Sequence, residues 1–119
     1  MAMEMSPEQF EWCVGQALDL LPPEVSAQLD NVAVIVQDLP PPGEPPDLLG
    51  FYDGVPLTER FGFGGIGALP DRILIFREPI LAICETPGDV VDEVVVTVVH
   101  EVAHYFGIDE ERIHELGWG

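Results

Sequence analysis

The sequence predicts an α+β fold: a small mixed sheet, a helix ahead of it and a longer helix packed on it. Three observations lead there. Residues 6–21 combine a helix-start pattern with apolar residues at helical spacing. Four short runs rich in β-branched and other apolar residues occupy the middle of the chain. Residues 86–107 repeat the helix-start pattern ahead of a long apolar run closed by a glycine. The 119 residues read as one domain, 1–119, long enough for a real core.

Ser6-Pro7-Glu8-Gln9 opens the first helix, with Ser6 as N-cap, Pro7 at the first helical position and Gln9 closing a capping box. Phe10, Val14, Ala17, Leu18 and Leu21 form its apolar stripe, and Pro22-Pro23 stops it. A short helical segment is expected over 23–29. Residues 31–37, NVAVIVQ, predict a buried strand. Residues 39–46 hold five prolines and one glycine, so they form a loop. Residues 48–52 predict a short strand, with Asp53-Gly54 as a turn. Residues 71–76 and 79–84 are two further strand candidates, Pro79 marking an edge or a bend.

Residues 60–69 are glycine-rich, and Gly62 to Gly67 formally match GxGxxG. Dinucleotide binding is rejected: Ala68-Leu69-Pro70 follows instead of a helix, and no βαβ unit surrounds the match. A mobile loop is expected there; its one plausible role is a flap over a site.

The last long segment starts with Thr86 as N-cap, Pro87 at the first position and Asp89 at the third. Its run VVDEVVVTVVHEVAHYF is ambiguous, because valine favours strands. Length and caps decide for a helix. Val91, Val94, Val95, Val98, Val99, Val102 and Phe106 form the broad stripe a helix needs to bury itself against a sheet. Gly107 suits the left-handed conformation that ends it.

Composition excludes some partners. Net charge is −18, from 22 acidic residues against four arginines and no lysine. Such a chain is repelled by nucleic acid and by anionic membranes. No apolar run has the length of a membrane span. Met1 to Met5 lack the apolar core of a signal peptide, so a cytoplasmic location is the expectation. Cys13 and Cys84 have apolar neighbours and are expected as buried free thiols.

All three histidines fall within residues 100–114. His100-Glu101-x-x-His104 is an HExxH motif. Residues four apart lie one turn apart on one helix face, so both imidazoles can reach one metal ion. Glu101 stays off the metal and can take a proton from a water that the metal has acidified. The pattern points to zinc-dependent hydrolysis of a peptide or related amide bond. A catalytic zinc site commonly takes three protein ligands. Gly107 turns the chain, and Glu110 stands in the slot where the HExxHxxGxx pattern carries its third ligand. His114, four residues later, is a second candidate ligand or an orienting partner of Glu110. Asp109 ranks third and is well placed to cap a short helix over 110–116.

The segments LPDRILIFREPIL and TPGDVVDEVVVTVVHEVAHYFGIDEERIHELG resemble the short bacterial zincin-like metallopeptidase family. The resemblance is strong over roughly the C-terminal two fifths of the chain. It implies a minimal zincin-like fold: a small mixed sheet packed on an active-site helix, an N-terminal helix and a short C-terminal helix after the glycine. It also implies an acidic third ligand, matched by Glu110. The expected activity is peptide hydrolysis with a zinc cofactor, on peptides or unfolded proteins lying along a sheet edge, with the strand at Ile73–Phe76 as the candidate edge. The methionines are Met1, Met3 and Met5, so no Met-turn follows the motif. Nor does the sequence extend past Gly119 to form the far wall of a cleft. These departures motivate the alternative, a non-catalytic module that binds metal or a partner on the same scaffold. Oligomeric state is left open.

Overall fold

The computed structural model describes residues 3–30, 32–54, 71–107, 111 and 115. The glycine-rich stretch at 60–69 lies outside them, as do Asp109, Glu110 and His114. Element order is α1 (Pro7–Asp19), α2 (Pro23–Gln28), β1 (Val32–Gln37), β2 (Gly50–Asp53), β3 (Asp71–Phe76), α3 (Arg77–Ala82) and α4 (Pro87–Phe106). The fold is α+β, with a three-stranded mixed sheet and helix α4 laid against it.

Helix α1 starts as its sequence requires. The Ser6 hydroxyl accepts the Gln9 N–H, and the Gln9 side chain accepts the Ser6 N–H, both at 3.2 Å. Phe10, Cys13, Val14 and Ala17 turn inward to form the face that meets α4. Strand β1 is half-buried along its length, where the valine-rich sequence predicted a buried strand. The reason is its place: β1 is an outer strand of the sheet, order β1-β3-β2.

That order overturns the expectation that Ile73–Phe76 forms an edge. Strand β3 is central, parallel to β1 on one side and antiparallel to β2 on the other. Its Ile73, Ile75 and Phe76 are fully buried. On the antiparallel side the outer strand is β2. The strand expected over 79–84 is also corrected. Residues 77–82 form a helix, with Pro79 inside its first turn, where a missing N–H costs nothing. The chain breaks from β3 at Arg77, and the Glu78 N–H donates to the Asp38 carbonyl at 3.0 Å. Pro79, Ile80 and Leu81 are buried consecutively, which a strand with one wet face does not allow.

Arg77 fastens this corner, reaching the Asp38 carboxylate and the Met5 carbonyl, each at 2.9 Å. Cys13 and Cys84 are buried free thiols, as expected. Among the described residues no helix is long and apolar enough to cross a membrane.

Candidate active site

Helix α4 carries the HExxH residues, and its ends are fixed locally. The Thr86 hydroxyl accepts the Asp89 N–H, and the Asp89 carboxylate accepts the N–H groups of Glu85 and Thr86, at 3.0–3.1 Å. Gly107 closes the helix at φ 73°, with its N–H donating to the Ala103 carbonyl. The valines between are poor helix formers held by tertiary burial: Val90, Val94, Val95, Val98, Val99 and Val102 have no exposed surface. Val91, placed on the stripe from sequence, is only half-buried; Val90 belongs there instead. The Phe106 side chain lies outside the description.

Burying that face turns the opposite face outward, and the motif lies along its margin. His100 and Glu101 are half-buried, and His104 is exposed. The imidazole centroids of His100 and His104 are 6.3 Å apart, with the rings nearly perpendicular at 81°. Two imidazoles one turn apart form a nitrogen donor pair suited to a borderline-soft divalent cation such as zinc. Among the described residues, no group of three or more metal-ligating side chains converges. The candidate third ligands Glu110, His114 and Asp109 are not among the residues described.

Strand β2 meets the motif directly. The Tyr52 N–H donates to Glu101 Oε1 at 3.1 Å. The Phe76 N–H donates to the Leu49 carbonyl at 3.0 Å. With the antiparallel alternation, that bond turns the backbone groups of Phe51 and Asp53 toward β3 and those of Gly50 and Tyr52 toward the outer edge. Among the described residues, Glu101 therefore lies along the outer edge of the sheet. The Tyr52 ring stacks on Tyr105, centroids 4.0 Å apart at 21°. Its hydroxyl donates to buried Asp71 Oδ2 at 2.7 Å. Arg72 pairs with Asp53 on the neighbouring register position.

Two glycines let β2 come this close. A Cβ on Gly50 would stand 2.5 Å from Thr97 Cγ2 and 3.0 Å from the Leu74 carbonyl oxygen. A Cβ on Gly54 would run into the Tyr105 ring, 2.6 Å from Cε2. A cleft of about 500 Å³ opens beside His100 and Glu101, between α4 and residues 45–50.

Sequence reasoning found the motif but missed Tyr52, Tyr105, Asp71, Gly50 and Thr97. Tyr105 adjoins His104, yet its partner is 53 positions away in the chain. The one available signal was Tyr52-Asp53-Gly54, legible only as a strand running into a turn.

The sequence profile of the zincin-like metallopeptidases matches residues 29–118, three quarters of the chain. The chain belongs to the zincin-like metallopeptidase family. This zincin-like chain also resembles a solved structure, a conserved hypothetical protein from Thermus thermophilus. The two are 23% identical over 86% of this chain and 94% of the other, with a TM-score of 0.54. That likeness supports the fold. No curated protein matches the sequence.

Proposed function

We propose that the chain is a zinc-dependent peptidase whose site is built from His100, Glu101 and His104. The observation that carries this reading is the position of Glu101. It shares a helix turn with the histidine pair, and its carboxylate is held at the sheet edge by the Tyr52 N–H. His100 and His104 would hold the zinc, with Glu110 as the first candidate for a third ligand and His114 and Asp109 behind it. Zinc, when bound, supplies Lewis acidity that polarises the scissile carbonyl and acidifies water.

Glu101 takes the proton of the attacking water and passes it to the leaving amine nitrogen. The Tyr52 N–H fixes that carboxylate without supplying a proton to it, so the other oxygen stays turned to the reaction. The substrate lies extended along β2 as an added strand, paired through backbone groups that Gly50 turns outward. The Tyr52–Tyr105 stack, anchored through Asp71, keeps β2 fixed beside α4 while a peptide is bound. Peptides or unfolded segments suit a single short edge strand better than folded proteins do.

The test is zinc content together with hydrolysis of a varied fluorogenic peptide set. Wild type should hold zinc and turn over peptide. Glu101→Gln should keep zinc and lose turnover by at least about 100-fold, the scale of a general base. His100→Ala and His104→Ala should lose zinc. A histidine variant that keeps a full equivalent of zinc refutes the ligand assignment. Zinc retained with no turnover on any peptide favours the non-catalytic module.

A further inference from the structure

The cleft beside His100 and Glu101 has a chemistry of its own. Its walls are largely apolar, with Leu49 on one side and Val96 on the other. Two carboxylates, Asp47 and Glu93, also line it. Glu93, Thr97 and Glu101 succeed one another at four-residue intervals, so they share one stripe of α4. Glu93 lies eight residues before Glu101, about 12 Å along the helix axis.

Neither carboxylate has an ion-pair or hydrogen-bond partner among the described residues. The two described arginines are engaged elsewhere, Arg72 with Asp53 and Arg77 with Asp38. A third polar group on the wall is buried and unpaired. Thr97 is 7% exposed, and its buried hydroxyl has no partner among the described residues. A buried polar group left unpaired is uncommon enough to call for a ligand or a water.

We propose that this cleft is a side-chain pocket that selects lysine or arginine next to the scissile bond, with Glu93 and Asp47 setting the preference. The proposal rests on the peptidase reading above. Lysine and arginine join an apolar stem to a cationic head. The stem matches the Leu49 and Val96 walls, and the head reaches carboxylates that lack a cation of their own. A glutamate or aspartate at the same place would meet like charge, which penalises the wrong substrate as well as favouring the right one.

The test uses full-length, zinc-loaded protein and fluorogenic peptides that differ only in arginine or citrulline, its neutral isostere, at positions flanking the cleaved bond. Two quantities are read: kcat/KM on wild type, and peptide Kd by anisotropy on Glu101→Gln. Arginine should be preferred by about tenfold at one flanking position, the scale of two partly screened ion pairs. The ratio should fall toward one in Glu93→Gln/Asp47→Asn and part of the way in Asp47→Asn alone, where the changed side chain is exposed. Glu8→Gln/Glu11→Gln, exposed on α1, controls for the overall charge and should leave the ratio unchanged.

Turnover with a ratio near one, or a ratio that survives the double substitution, overturns the pocket and leaves the peptidase reading standing. Arginine-selective binding that depends on Glu93 and Asp47, without turnover, supports the pocket and removes the peptidase reading. Neither turnover nor selective binding refutes both.

Discussion

Glu101 on α4 accepts the backbone N–H of Tyr52 on β2 at 3.1 Å. One carboxylate therefore has two tasks, completing the outer edge of the sheet and standing beside the histidine pair. The tasks are separable. Glu101→Ala leaves the Tyr52 N–H unpaired and should cost about 1–2 kcal/mol of stability. Glu101→Gln keeps an acceptor oxygen and should cost less than half as much. Urea denaturation of both variants without metal decides, and equal losses would show that the contact carries no stability.

The glycines that open β2 and follow its last residue, Gly50 and Gly54, should differ in their tolerance of a methyl group. At Gly50 the obstacles are Thr97 and the Leu74 backbone in a buried position, so Gly50→Ala should cost about 2–3 kcal/mol. At Gly54 the obstacle is the far end of the half-exposed Tyr105 ring. That ring can swing away and forfeit its stack on Tyr52, so Gly54→Ala should cost about 0.5–1.5 kcal/mol. Denaturation midpoints test the order. Thr97→Ser, which removes the obstructing methyl, should recover part of the Gly50→Ala loss.

Thr97 itself predicts an unusual sign. Its buried hydroxyl has no partner among the described residues, so Thr97→Val replaces an unsatisfied group with an apolar one of similar shape. The variant should match wild type or exceed it by up to about 1 kcal/mol. A clear loss in thermal denaturation would show that the hydroxyl has a partner in solution.

The thiols set an alkaline limit. Burial, then the Glu93 and Asp89 carboxylates and Cys13, push Cys84 from an ordinary value of 9.0 up to about 11. Burial also pushes Cys13 up. Between these values the unfolded chain gives up its proton while the folded chain keeps it. This contribution to stability is therefore whole below about pH 9 and is lost as pH rises toward 11. Denaturation at pH 8, 9.5 and 11 should show a decline that Cys84→Ala reduces. At pH 8, a thiol reagent should modify both cysteines far faster in denaturant than in the native protein. Equal rates would contradict their burial.

What the sequence made legible was local. The caps at Ser6 and Thr86 and the stop at Gly107 are each settled within a few residues, and the structure places them as read; the two histidines of the motif fall on that one helix. The errors concern pairing at a distance. Residues 73–76 are a continuous apolar run that can sit at an edge or in the middle of a sheet, and only β1 and β2, brought in from far along the chain, make them central. Residues 79–84 have the apolar content of a strand; the bond from Glu78 to Asp38 and the burial of Pro79 accompany a helix over 77–82 instead. The contacts of Glu101 and Tyr105 were invisible for the same reason. Both depend on where β2 docks, and its short sequence does not specify that.

The separation between Glu101 and Tyr52, 49 positions, has a kinetic consequence. The histidine pair lies within one helix whose caps are local and whose valines are buried against α1 and β3 as well as β2, so its turn does not wait for β2 alone. Strand β2 can dock only after a long loop has closed, a slower event than helix growth. The donor pair should therefore exist in partly folded chains before the substrate edge does. Metal capture can then precede completion of the cleft, and amide protons of β2 should exchange with solvent sooner than those in the middle of α4.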